Sequence, residues 1–199
     1  MNYLAHARLS FDKPFIVVGN MISDFVKGKK QYDYPLSIQH GIRLHRLIDG
    51  FTDSHPATEQ IKLFFKPHYR LYAGAFTDVV YDHFLANDLG EFTNDNDLHQ
   101  FASATYSILE THFNLLPPDF QTILPYMKQY DWLYNYKYLQ GIEKSFAGLV
   151  RRSRYLTESA VAFSLFNEHY DSINLLYHDF YPDVKKFAAH QMQQVLNTD

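Results

Sequence analysis

Two stretches of this chain place carboxylates and imidazoles at spacings that a helix gathers onto one face. Along Gly41 to Asp53, turned at about 100° per residue, His45, Asp49, Asp53 and Arg46 fall within one arc of about 100°, while Leu44, Leu47, Ile48 and Phe51 occupy another. A face turned to solvent scatters lysines and glutamates; this one offers a histidine, two aspartates and an arginine in file. Along Thr77 to Ala86, Asp78 and Asp82 stand one turn apart among Val79, Val80, Phe84 and Leu85. Like charges at that spacing destabilise an isolated helix, so an apolar helix that keeps them needs a cation: a divalent metal, Arg43 or Arg46, or a structural salt bridge. Together with Asp24, the set Asp24, His45, Asp49, Asp78 and Asp82 supplies the hard oxygen and imidazole donors that hold a divalent ion. His83 lies about 140° from Asp78 on the same helix, which suits a supporting group or proton donor better than a ligand. Asp53 precedes Ser54, His55 and Pro56, a helix-start signal, so capping competes with a place in the site. Arg46 has a structural reading too, as the partner of Asp49 three residues on.

The rest of the composition bounds the possibilities. The chain has 199 residues, 46% of them hydrophobic, with 16 Tyr and 17 Phe, enough for a folded, aromatic-packed core within one domain, residues 1–199. With no cysteine it has no disulfide, thiolate ligand or cysteine nucleophile, which fits a reducing cytoplasm. A formal net charge of −4 excludes a broadly basic nucleic-acid binder. No segment approaches the roughly 20 apolar residues of a membrane span, and Met1 to Ser10 lacks the apolar core of a signal peptide. Local basic patches remain at Lys27, Lys29 and Lys30 and at Arg151, Arg152 and Arg154, either solvated or suited to phosphate or an acidic partner.

The elements that must position these residues are helical. Apolar spacing between the glycine and proline breaks predicts helices at about residues 2–10, 15–27, 36–52, 56–66, 70–89, 95–114, 119–129, 131–149, 152–178 and 180–196, with no alternating strand pairs. The class is therefore all-α, a multi-helix bundle. Tyr126, Tyr130, Trp132, Tyr134, Tyr136 and Tyr138 form an aromatic-rich stretch that packs a core or lines a hydrophobic groove. No Glu-x-x-His of a di-iron bundle and no Gly-x-Ser-x-Gly elbow occurs.

Five blocks carry a resemblance: Met1-Asn2-Tyr3-Leu4-Ala5-His6; Gly19-Asn20-Met21-Ile22-Ser23-Asp24-Phe25-Val26-Lys27-Gly28; Gly41-Ile42-Arg43-Leu44-His45-Arg46-Leu47-Ile48-Asp49; Phe51-Thr52-Asp53-Ser54-His55-Pro56; and Asp78-Val79-Val80-Tyr81-Asp82-His83-Phe84-Leu85-Ala86. In this order, over nearly the whole chain, the sequence resembles the acyl carrier protein phosphodiesterase family, distantly akin to HD phosphohydrolases. The resemblance implies a helical enzyme that uses a divalent metal, manganese first and Mg2+, Fe2+ or Co2+ as substitutes. Its implied reaction removes 4'-phosphopantetheine from the serine of holo-acyl carrier protein. It implies Asp24, His45, Asp49, Asp78 and Asp82 as the polar core of the site, with His6 and His83 near it; the place of His6 rests on the resemblance alone. His6 or His83 is the expected proton donor, and Lys27, Arg43 and Arg46 are the expected phosphate-binding cations, with Asp53 on the substrate side. After Ala86 the chain reads Asn87-Asp88-Leu89, where members of the family often have a tryptophan. A metal phosphohydrolase acting on a nucleotide or other small phosphoester, and a non-catalytic module binding a carrier protein or lipid, are the competing readings.

Overall fold

The computed structural model describes residues 1–197. Eleven α-helices and short 3-10 turns, with no strand among the described residues, make the fold all-α: α1 (Tyr3–Arg8), α2 (Pro14–Ile22), α3 (Leu36–Ser54), α4 (Pro56–Tyr69), α5 (Ala73–Ala86), α6 (Asp95–Thr111), α7 (Pro118–Gln129), α8 (Trp132–Asn135), α9 (Leu139–Arg152), α10 (Ala160–Glu168) and α11 (Tyr170–Leu196). Proline opens α2, α4 and α7, where its missing N–H is one the first turn leaves unbonded anyway. Asn94 caps α6 by accepting from the Asp97 N–H, and the His55 side chain accepts from the Ala57 N–H to cap α4. No described helix is long and apolar enough to cross a membrane.

Two helices are buried nearly all round and form the middle of the molecule. In α2 every residue from Ile16 to Ile22 is buried, and α5 is buried from Val79 to Ala86. Around them Phe65, Phe76, Phe146 and Phe166 are wholly inaccessible, each contributing about 1.5–3 kcal/mol relative to an exposed ring. The long α11 lies along α3, with the Phe51 and Phe187 rings stacked at 4.5 Å.

The helices α2 and α3 approach closely, and glycine permits it. A Cβ on Gly19 would stand 2.1 Å from the Ile38 carbonyl oxygen, and one on Gly41 would stand 2.5 Å from that of Ile16. The two backbones therefore touch at this point, and α3 lays its next turn, with His45, directly against the end of α2.

Three sequence expectations change in the C-terminal half. The expected helix 131–149 is two helices, because Asp131 adopts a left-handed conformation (φ 41°) and a turn at Tyr136–Tyr138 separates α8 from α9. The segment from Ser153 to Ser159 is not helical; the Ser153 hydroxyl accepts the N–H groups of Tyr155 and Leu156 and satisfies the backbone locally. Pro182 does not divide two helices but sits inside the 27-residue α11, where burial of Tyr177, Phe180, Tyr181 and Val184 on both sides of it outweighs one missing backbone bond.

Candidate metal centre

His6 belongs to a helix of six residues, too short to be stable by itself. Its order comes from α5. The wholly buried Asp82 carboxylate accepts the N–H groups of Leu4 (2.7 Å), Ala5 (3.2 Å) and Asn2 (3.3 Å), the unbonded donors of the first turn. At the other end, the His6 carbonyl accepts from the Ser10 hydroxyl (2.8 Å) and from Asn20 Nδ2 (2.9 Å).

Asn20, buried at the end of α2, organises both imidazoles. Its Nδ2 donates to the His6 carbonyl and Ser10, so its Oδ1 is the acceptor that faces His6 Nδ1 at 2.8 Å and His45 Nδ1 at 3.2 Å. His45 Nδ1 also donates to the Asn20 backbone carbonyl at 2.8 Å, a contact made possible by the Gly19–Gly41 approach. The rings stack with centroids 3.9 Å apart. Both histidines thus carry a hydrogen on Nδ1 and turn Nε2 toward the carboxylates; on His6, Nε2 is left with a lone pair, while on His45 it donates to the carboxylates.

There, His45 Nε2 lies 3.1 Å from Asp24 Oδ1 and 3.0 Å from Asp49 Oδ2. His6 Nε2 lies 3.0 Å from Asp49 Oδ1, yet both of these buried atoms lack a hydrogen-bond partner. Two buried lone pairs facing each other repel, and a cation held between them removes the conflict. One ligand atom from each of His6, His45 and Asp49 lies within 4.8 Å of the others. Imidazole nitrogen and carboxylate oxygen in this arrangement could hold a metal ion.

The charges follow from the same contacts. Desolvation, with His45 close by, lowers His6 to about 4. In His45 desolvation is outweighed by hydrogen bonds with Asp24 and Asp49, which raise it to about 9. Burial works against ionisation of Asp49, but the hydrogen bond from His45 and the charge of the Met1 amino group hold it below the usual carboxylate range. Asp24 is lowered chiefly by its hydrogen bond with His45.

The other expected site residues divide by position. Asp78, raised by desolvation, accepts the Met1 amino group at 2.9 Å, and that nitrogen is 3.6 Å from Asp49, so Asp78 borders the cluster. Asp82 is directed toward the backbone of α1, whose first-turn N–H groups it accepts. His83 is not brought to the cluster: its Nδ1 donates to the Tyr136 carbonyl (2.8 Å) and its Nε2 faces the Tyr170 hydroxyl (3.0 Å). Arg46 does not pair with Asp49; its exposed side chain donates to Gln31 Oε1 (2.7 Å) and the Val26 carbonyl (3.0 Å), tying down the segment that follows Asp24. Asp53 does not cap α4, a task His55 performs; it pairs at the surface with Lys62 (3.0 Å). Lys27 and Arg43 are exposed. Asn20 escapes spacing arguments, although a lone amide within the apolar run Ile16–Ile22 was a usable signal.

Fold and site together define a helical protein with a histidine–aspartate centre built from three helices and the turn after the second. Within that class the chain belongs to the acyl carrier protein phosphodiesterase family, whose model, "Acyl carrier protein phosphodiesterase", matches residues 1–184. Relatives bearing that same name include proteins of Yersinia pestis, 31% identical over 96% of this chain and 99% of their own, and of Photorhabdus laumondii, 31% identical over 96% of each. A third, from Yersinia enterocolitica, is 32% identical over 92% of this chain and 94% of its own. No solved structure matches the chain.

Proposed function

We propose that this protein is a cytoplasmic, metal-dependent phosphodiesterase that hydrolyses the bond between 4'-phosphopantetheine and the serine of holo-acyl carrier protein. The observation that carries the metal dependence is the pair of unpartnered lone pairs, His6 Nε2 and Asp49 Oδ1, 3.0 Å apart in a buried cluster. The substrate comes from the name shared by the family and its relatives.

His6, His45 and Asp49 would hold the ion, manganese by the resemblance, with Asp24 and Asp78 at its edge. A divalent ion there supplies charge neutralisation for the phosphodiester oxygens and acidifies a bound water. Asn20 holds both imidazoles with Nε2 forward, so no rearrangement is needed before the ion is bound. Asp24, whose side chain is 77% exposed, stands at the mouth as the carboxylate able to accept a proton from an entering water. Lys27 and Arg43 on the exposed surface suit the acidic protein substrate.

Incubation with holo-acyl carrier protein and Mn2+ is expected to remove the mass of the phosphopantetheine group, and Asp49→Ala is expected to abolish this while the chain stays helical by circular dichroism. No release under any divalent cation, or full activity in Asp49→Ala, refutes the reading. Charge-guided docking also requires that kcat/KM for the carrier protein fall more steeply with salt than that for a small chromogenic phosphodiester.

A further inference from the structure

The aromatic stretch is not all core. Tyr126, Tyr130 and Tyr138 are about half exposed, at 55%, 58% and 45%. With Trp132 and Tyr136 they line a groove of about 910 Å³ among α7, α8 and α9, a size within the range of small-molecule sites. One wall is Asn2 and Tyr3, and the Tyr3 ring lies 6.3 Å from that of Trp132 and 6.4 Å from that of Phe120.

That wall places the groove beside the metal centre. Asn2 follows Met1, whose nitrogen is 3.6 Å from Asp49, and Tyr3 opens the helix that presents His6. On the far side of Phe120 lies Phe25, 5.3 Å away and next in sequence to Asp24. A molecule with one end at the metal centre therefore has an aromatic groove close by for the rest of its length.

The lining states what that length must be. Aromatic faces dominate, and amide side chains recur among them at Asn2, Gln129, Asn135 and Gln140. Asp131 adds a buried carboxylate oxygen, Oδ1, that lacks a hydrogen-bond partner. This combination fits an extended, uncharged chain with apolar stretches and amide N–H groups. Lys144, Arg151 and Arg152 supply the cations, and Arg152 acts on the Tyr3 phenol, which places it at the end next to the metal centre. A cation there complements a phosphodiester, or the acidic surface from which such a chain projects.

Resting on the carrier-protein reading above, we propose that this groove receives the pantetheine arm of the substrate, with its two amides among the side-chain amides and its phosphate end directed past Tyr3 to the metal centre.

Trp132 is the only tryptophan of the chain and lines the groove, so its emission reports occupancy without metal or turnover. Pantetheine titrated into the metal-free protein is expected to shift Trp132 emission saturably. Ala147→Phe adds bulk at an exposed position of the lining and is expected to weaken that binding by about tenfold and to raise the KM for holo-carrier protein by a similar factor. Its melting temperature and Mn2+ affinity should stay at wild-type values. No Trp132 response to pantetheine, or an Ala147→Phe variant that binds it as wild type does, overturns the assignment. So does a response to apo-carrier protein, which lacks the arm, in place of pantetheine, because the groove then holds a protein helix. Wild-type protein that binds pantetheine yet releases none from holo-carrier protein overturns the activity and leaves the groove standing.

Discussion

Asn20→Ala tests the centre most directly, because it removes no proposed ligand. It deletes four side-chain hydrogen bonds: Oδ1 to His6 Nδ1 and to His45 Nδ1, and Nδ2 to the His6 carbonyl and to Ser10 Oγ. The losses are unequal. His45 Nδ1 keeps the Asn20 main-chain carbonyl at 2.8 Å, which alanine retains, and the His6 carbonyl keeps the Ser10 hydroxyl. His6 Nδ1 keeps nothing, and a buried donor without a partner costs about 1–3 kcal/mol. With the smaller losses added, unfolding by urea in the presence of chelator is expected to register about 2–4 kcal/mol of destabilisation. Freed of its orienting acceptor, the His6 ring no longer holds Nε2 forward, and affinity for Mn2+ by calorimetry should fall by about 10- to 100-fold. Asn20→Asp is the informative control: it keeps an acceptor for both imidazoles and loses both Nδ2 donations, so it should lose stability while retaining most of the Mn2+ affinity. Asn20→Ala protein that binds Mn2+ as tightly as wild type refutes the role given to Asn20.

Three further expectations follow from the supports of the site. Gly41→Ala forces α2 and α3 apart and should cost about 1–3 kcal/mol, read as a lowered Tm together with weaker Mn2+ binding; an unchanged Tm contradicts the close contact. Burial lifts Asp82 to about 7 against the pull of the Leu4, Ala5 and Asn2 N–H groups and the Met1 amine, so the folded chain keeps a proton that the unfolded carboxyl releases near 3.8. Asp82 therefore contributes stability at low pH that is lost as pH rises through about 7, and wild type should lose on the order of a few kcal/mol relative to Asp82→Asn between about pH 4 and 7.5, measured by urea unfolding. A difference that is flat or grows with pH contradicts this. Arg46→Ala should change global stability by only about 1 kcal/mol, since its bonds are largely exposed, but should speed amide exchange from Val26 to Gln31; unchanged protection there means that Arg46 does not anchor the segment that follows Asp24.

What the sequence determined by itself is whatever one helix settles within its own turns. Periodicity was enough for the all-α class, and spacing alone put His45 and Asp49 on one face of α3, because side chains one turn apart share a face whatever the helix packs against. The same rule placed Asp78 and Asp82 on neighbouring turns of α5 but left open which group each would meet. Tertiary packing turned Asp82 onto the backbone of α1 and left Asp78 at the edge of the centre. It carried His6, on a helix too short to show a period, against His45, and it made Asn20 the hinge of both rings. It also drew His83, Arg46 and Asp53 into bonds with Tyr136, Val26 and Lys62, all far from them in periodic register. The groove beside the centre belongs to this second category, since Tyr3 and Trp132 meet only through the packing of α1 against α7 and α8. The physical reason is that helical spacing is local geometry, whereas the partner of a buried polar group is chosen by which backbones can approach closely enough to satisfy it, and here two glycines on different helices decided that.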